Sequence, residues 1–348
     1  MNLLRLVFGY LISRITKRVH HWGMPVAVSI EPNNTCNLHC PECPAGTNEL
    51  TRPKGFMNPI LFRSIIDQLS PHLAYLTLYF QGEPYLSKNL FDFIAYPRSR
   101  KIFTVTSTNG HFLNEETVKQ TIDSGLNRLI ISLDGFDRQS YEQYRKGGDF
   151  AKVLDGIRLL VSEKKRLKCP NPQIILQCLI LRSNENNLNE IRRLGKELGV
   201  DQVVFKTAQF NDYKNGNPLM PENPKFSRYT KKVQSSKFKV QSSSQSTITP
   251  PLSPIATLPP YQLTNLPPYQ LTNSPTNSCF RSWSSCVITW DGKVVPCCFD
   301  KDATHLIGDL TKQSFQEIRE GKPIHDFRQK ILVNRKGIDI CSNCSQTF

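Results

Sequence analysis

Three cysteines within eight residues, Cys36, Cys40 and Cys43, spaced CxxxCxxC, constrain this chain more than any other feature. They follow a strand-like run from Val26 to Ile30. Spacing this short forces a loop to wrap one small object, and Pro41 and Pro44 stiffen that loop and keep it from continuing as helix. Three thiolates can hold three irons of a cubane cluster and leave the fourth iron without a protein ligand. An open coordination position is what separates a catalytic metal site from a structural one. The competing reading is a zinc knuckle, in which cysteines pair as C-x2-4-C beside a second pair or histidines. His39 is the available fourth ligand, but between two cysteines it is expected to point away.

The 348 residues suffice for one substantial core and a smaller module. No run reaches the roughly 18 apolar residues of a membrane span. From Met1 to Val19, apolar residues recur at helical spacing (Leu3, Leu4, Val7, Phe8, Leu11, Ile12, Ile15) and Arg14, Lys17 and Arg18 follow near the end. A signal peptide would carry its charge first and end in a small-residue cleavage site. A helix packed on the core is therefore expected, with membrane contact peripheral at most. Eleven cysteines do not read as a secreted disulfide scaffold, because nine gather in two metal-like groups. Cys169 and Cys178 read as buried thiols, and a reducing cytoplasm is the expected location. The net charge of +15 is scattered apart from a modest cluster between Lys225 and Lys239, and no nucleic-acid module accompanies it, so no nucleic-acid partner is expected.

Strand and helix signals alternate after the cysteine loop. Helical Asn58–Leu69, Asn89–Tyr96, Asn114–Ser124, Phe150–Lys164 and Leu188–Leu198 lead to strands at Tyr75–Phe80, Ile102–Thr106, Arg128–Leu133, Gln173–Leu181 and Gln202–Phe205. With the first, six strands alternate with helices, which predicts a parallel sheet with right-handed crossovers. Residues 241–278 carry no charge and contain an octapeptide, Leu258 to Asn265, repeated from Leu266 to Asn273. That composition predicts a disordered insertion. A hairpin from Val287 to Val295, turning on the two residues Asp291-Gly292, and a short helix, Ser314–Glu320, then precede a final pair, Cys341 and Cys344.

In parallel α/β architectures ligands gather beyond the carboxyl ends of the strands. Each strand here is succeeded by a polar segment: the cysteine loop, then Gln81-Gly82-Glu83-Pro84, then Ser107-Thr108-Asn109-Gly110, then Ser132, Asp134 and Gly135, then Arg182, then Lys206 and Gln209. Together with CxxxCxxC after a first strand, these segments resemble the radical S-adenosylmethionine (SAM) superfamily. The resemblance implies an α/β fold, a partial (β/α)6 TIM-like barrel, in which the three cysteines hold a 4Fe–4S cluster and SAM chelates the open iron. Gly82 and Glu83 resemble the family's Gly-Gly-Glu motif for the SAM amino group. Ser107, Asn109 and Ser132 resemble its contacts to ribose and methionine. Arg145 resembles an arginine that some relatives use for the SAM carboxylate. Two positions depart from the pattern: Gln81 replaces the first glycine, and Glu42 stands where an aromatic residue often shields the adenine.

Cys279, twelve residues, Gly292, four residues and Cys297, with Cys341 and Cys344 to follow, resemble the SPASM auxiliary-cluster module. Because the sequence stops four residues after Cys344, the shortened single-cluster twitch form is expected. Its one auxiliary 4Fe–4S cluster would be held by Cys279, Cys297, Cys341 and Cys344, with Cys298 redundant and Cys286 an alternative ligand. A four-cysteine zinc ribbon is the competitor. The implied organisation is an N-terminal helical segment (1–23), a barrel core (24–210), a linker carrying the insertion (211–278) and an auxiliary domain of β-hairpin and helix (279–348). The implied function is reductive cleavage of SAM to a 5′-deoxyadenosyl radical that takes hydrogen from a peptide, a protein side chain or a small precursor. The electron would come from a donor such as flavodoxin or ferredoxin. The alternative is a non-catalytic iron–sulfur or zinc protein serving electron transfer or scaffolding.

Overall fold

Short strands flanked by amphipathic helices can bury both faces only by pairing in parallel. In the computed structural model six strands do so: β1 (Ala27–Ile30), β2 (Tyr75–Thr77), β3 (Phe103–Thr108), β4 (Arg128–Ser132), β5 (Gln173–Ile180) and β6 (Gln202–Thr207). The structure describes residues 1–210, 212–213, 215–229, 277–342 and 344; the repeat lies outside them, as does the expected disordered insertion apart from its last two residues. Helices Pro59–Leu69, Leu90–Ser99, Glu115–Asp123, Phe150–Arg166 and Leu188–Leu198 form the outer layer. Helix Phe150–Arg166 buries Val153, Ile157, Leu160 and Val161, one stripe at helical spacing, and Asp149 caps its start by accepting from the Lys152 N–H. Each such side chain taken from water stabilises the fold by about 1.5 to 3 kcal/mol. The described architecture is the partial barrel with a small C-terminal domain.

Outward strand residues such as Leu76, Leu129, Ile131 and Leu176 pack under the helices. Alternation turns their neighbours to the concave face. At the amino-terminal end of the strands that face is plugged: Tyr75 stacks on Phe103 at 5.5 Å, Arg128 lies over the Phe103 ring, and Arg128 Nε donates to Gln173 Oε1 at 2.9 Å. Toward the carboxyl end Ser107 and Ser132 keep partial access to solvent and Lys206 is exposed. Strand β2 stops at Thr77, short of the expected Phe80, because the chain turns away toward Gly82, whose φ is +76°. Helices Arg138–Tyr144 and Lys322–Asn334 were not anticipated.

The C-terminal hairpin does more than expected. Its strands β7 (Ser285–Ile288) and β8 (Lys293–Val295) pair antiparallel, with β9 (Gly308–Asp309) beyond. Strand β7 also pairs in parallel with β1, so that the sheet runs β6-β5-β4-β3-β2-β1-β7-β8-β9. The turn holds three residues, not two: Thr289 N donates to Lys293 O at 2.9 Å, and Gly292 takes the left-handed conformation that such a loop needs at its end. The amino-terminal helix, Asn2–Thr16, packs on this region through Leu6 and Tyr10, which meet Trp283 and Leu332.

One buried ion pair ties the two parts together. Arg52 donates to both Glu31 carboxylate oxygens, at 2.6 and 2.5 Å, and its Nε donates to Lys301 O at 2.7 Å. The same carboxylate accepts from the N–H groups of Trp290 (3.2 Å) and Gln81 (3.3 Å). Burial pushes the Glu31 carboxyl up, and the guanidinium and backbone donors pull it back toward the charged form. The Trp290 ring lies on Gly55, where a Cβ would stand 2.4 Å from it. Arg52→Ala would leave a buried carboxylate half-compensated and is expected to cost about 3 to 5 kcal/mol, measured as a lowered urea midpoint; an unchanged midpoint would show that the pair does not hold the parts together.

Candidate active site

The cysteine loop leaves the carboxyl end of β1 and closes on itself. Cys43 N donates to Cys40 O at 3.1 Å, and Cys43 then caps the short helix Pro44–Thr47, started by Pro44. Leu38, Cys40 and Tyr144 join Leu181, Phe210 and Met220 in an apolar cluster that Cys36 and Cys43 border. Burial pushes Cys36 up to about 11 and Cys40 upward as well, so as free thiols they hold their protons; a metal must displace them. Donors already point at the sulfurs: Leu38 N (3.4 Å) and Asn109 Nδ2 (3.9 Å) at Cys36, and Arg145 Nη1 (3.8 Å) at Cys40. A soft three-thiol set in an apolar nest with donors toward the sulfurs suits an iron–sulfur cluster. His39 is exposed, and its Nδ1 hydrogen-bonds to Gly46 O, so it does point away from the thiols. Among the described residues no three His, Cys, Asp or Glu side chains gather tightly enough for a single metal ion.

Glu83 and Gly82 sit against this loop. Asn33 Nδ2 donates to Glu83 O, and Glu83 N donates to Thr35 O. The Glu83 carboxylate, 2 % exposed, accepts from Asn109 N (2.7 Å) and Tyr85 N (3.1 Å). Burial nevertheless pushes it up to about 7. Gly82 lets protein backbone approach, since a Cβ there would lie 2.6 Å from Thr35 O. Asn109 is held by His111, which sequence reasoning passed over. Asp149 N donates to His111 Nε2 at 2.8 Å, so Nδ1 carries the proton and donates to Asn109 Oδ1 at 3.0 Å. That leaves the Asn109 amide N–H groups for Asn37 and Cys36. Arg145 is likewise oriented, its Nε donating at 2.6 Å to buried Asp134, which accepts from Leu179 N. Glu42, at the aromatic position of the family pattern, accepts from Asn217 Nδ2 at 2.6 Å.

Ser107 and Ser132 lie half-exposed on the concave face, in register with Ile130 and Gln177 of the next strands. Farther along the same face stands Lys206, open to solvent yet held below the usual lysine range by crowding and by the charges of Arg281 and Arg228. Lys301 stands near both Cys43 and Cys298.

In the C-terminal group, Cys279, Cys341 and Cys344 all face Arg335, and Arg335 Nη2 lies 3.3 Å from Cys344 Sγ. Arg281 is faced by Cys279, Cys297, Cys298 and Cys344. Cys286 is not of this group: it is buried in the main core beside Arg319, and burial pushes it up to about 12. Cys298, expected to be redundant, falls below the usual thiol range because the Cys297 S–H donates to it and Arg281 and Lys206 face it. Cys178 is buried as expected, whereas Cys169 is half-exposed in the turn after its helix.

The sequence matches the radical SAM superfamily over residues 30–169 and an iron–sulfur cluster-binding domain, SPASM, over residues 279–345. The SAM-dependent 2-deoxy-scyllo-inosamine dehydrogenase of Niallia circulans is 31% identical over 187 residues, 49% of this chain and 71% of that protein. The chain belongs to the radical SAM superfamily, with SPASM-type relatives, and is an enzyme. The AdoMet-dependent heme synthase of Methanosarcina barkeri is 23% identical and covers 92% of this chain and 91% of its own. The PqqA peptide cyclase of Rhodopseudomonas palustris is 23% identical over 90% of this chain and 76% of its own. Two solved structures share the fold: Streptococcus suis SuiB bound to SAM (TM-score 0.62, 13% identity, 92% of this chain, 71% of that) and anSMEcpe with AdoMet and the Kp18Cys peptide (TM-score 0.60, 18% identity, 91% and 87%). Membership brings a 4Fe–4S cluster and SAM, and the second domain brings auxiliary iron–sulfur chemistry.

Gly82→Ala would add a clash to a left-handed backbone that alone costs about 1 to 2 kcal/mol; less iron per chain after anaerobic reconstitution is expected, and wild-type loading would refute the close approach. For Glu83, a folded value near 7 against an ordinary 4.5 means the folded chain holds the proton more tightly. Its stabilising contribution is full below about pH 4.5 and is lost as pH rises through about 7. In the metal-free protein, wild type should therefore lose stability relative to Glu83→Gln over that window in urea titrations. The reverse slope would show a cation already paired with the carboxylate.

Proposed function

We propose that this enzyme cleaves SAM reductively at the cluster held by Cys36, Cys40 and Cys43 and removes hydrogen from a substrate in the barrel lumen. The observation that supports this most is the convergence of Glu83, Asn109 and Arg145, from three separate segments, on the cysteine loop. When bound, the cluster and SAM supply the electron transfer and the 5′-deoxyadenosyl radical. The chain's own residues bind and orient. Gly82 and Glu83 bring their loop against the loop of the thiols, so that Glu83, a buried carboxylate, is suited to the SAM ammonium. Asn109 and Arg145, each locked by its partner, direct N–H donors at the sulfurs and toward the methionine part. Ser107 and Ser132 offer hydroxyls on the lumen wall to the ribose.

Cys279, Cys297, Cys341 and Cys344 would hold one auxiliary 4Fe–4S cluster as a closed set, a reading supported by the shared faces of Arg281 and Arg335 and by the diversion of Cys286 to the core. A closed set suits electron relay or organisation of the site better than direct substrate ligation. The substrate would be a peptide, a protein side chain or a small precursor, in keeping with relatives named for a peptide and for an inosamine. Lys206, exposed on the concave face, favours one that carries an anionic group. The electron would come from a flavodoxin- or ferredoxin-type donor.

The test is anaerobic reconstitution followed by SAM and a strong reductant. Wild type should form 5′-deoxyadenosine and bind about eight irons, whereas changing Cys36, Cys40 and Cys43 to Ala should abolish the product and leave about four. Product formation that survives those changes would place the chemistry elsewhere, and about four irons in the wild type would remove the auxiliary cluster.

A further inference from the structure

The helix Asn2–Thr16 has two apolar faces, and folding uses only one. Its inner face, Leu6, Gly9, Tyr10 and Ser13, is buried against Trp283 and Leu332, with Tyr10 edge-on to Trp283 at 5.2 Å. On the opposite side Leu4, Phe8, Leu11 and Ile15, at spacings of four, three and four, form one continuous stripe. These four are 62, 56, 42 and 80 % exposed. Scattered exposed leucines need no explanation, but a ridge of four on one helix does. Its surroundings say what would cover it. Arg5 and Arg14 flank the stripe on its two sides, Lys17 and Arg18 come after the last turn, and residues 1–23 contain no Asp or Glu in a chain that has 29 of them. Trp22, 46 % exposed, packs its Cβ against Gly9 beside the ridge.

We infer that this ridge is a docking surface for the anionic face of a lipid bilayer. An apolar stripe between cations is the arrangement that sinks into the headgroup–acyl boundary while the guanidinium groups stay with phosphate. Fifteen residues make about 22 Å of helix, short of the roughly 30 Å of a hydrocarbon core, so the helix lies in the plane of the membrane. Because Leu6 and Tyr10 anchor it to the body, the enzyme docks as one rigid unit, and its net charge of +15 adds long-range attraction.

Sedimentation of the full, anaerobically reconstituted protein with vesicles tests this, using phosphatidylcholine alone and phosphatidylcholine mixed with phosphatidylglycerol. About tenfold more protein should pellet with the mixed vesicles at low salt, and added salt should release it. Changing Leu4, Phe8, Leu11 and Ile15 together to Ser should abolish the binding while iron content and thermal midpoint stay at wild-type values, since these side chains touch water. Arg5→Gln with Arg14→Gln should weaken binding to the anionic vesicles alone. Absence of pelleting with both vesicle types, or equal pelleting of the Ser variant, overturns the proposal. So does light scattering that shows a wild-type dimer converted to monomer by the Ser changes, which would assign the ridge to a second copy of the chain.

Discussion

A charge pair shielded from water, Glu31 with Arg52, stands where the barrel, the segment after the cysteine loop and the C-terminal hairpin meet. Neither partner tolerates burial alone, and the further hydrogen bonds they make are with Gln81, Trp290 and Lys301, each in a different part of the chain. The carboxyl end of β1 is thereby pinned one residue after the strand and five before Cys36. The position of the thiols relative to the auxiliary module depends on it.

Around the thiols the polar groups are paired in depth. Arg145 reaches Cys40 because Asp134 holds its guanidinium, and Asp134 is itself held by Leu179 N. Asn109 presents N–H to Cys36 because His111 occupies its carbonyl. Each group that faces a sulfur is oriented by one that does not, which removes the cost of reorganising donors when charge builds on the sulfurs. Glu83 is the exception in sign. Its carboxylate is dry and hydrogen-bonded by the Asn109 and Tyr85 amides and the Thr108 side chain, a situation that a bound cation improves.

The C-terminal module shares the sheet instead of standing beside it. Strand β7 covers the β1 edge, which would otherwise expose unpaired backbone. Pairing also sets which cysteines can act together: in β7 the alternation of the strand sends Cys286 into the core, away from Cys279 and Cys297.

Much of this was legible in the residues. The cysteine loop, the Asn58, Asn114 and Asp149 caps and the 3.6-residue stripes each arise within a few positions, so neighbours encode them. Helix Lys322–Asn334 was legible too, since Ile324, Phe327, Ile331 and Leu332 keep helical spacing. His111 carried no such signal: it stands beside Asn109 in the chain, but its role rests on Asp149 N, thirty-eight positions away. The sequence by itself determined the three thiols, the alternation of strands and helices, and thus the parallel sheet, because short-range spacing dictates how a loop closes and which face a stripe presents. Only the tertiary structure decided that β7 would join β1, that Arg52 would meet Glu31, and that Cys286 would turn into the core. Those choices rest on burial and backbone pairing between distant segments, and such interactions exist only once the chain is assembled.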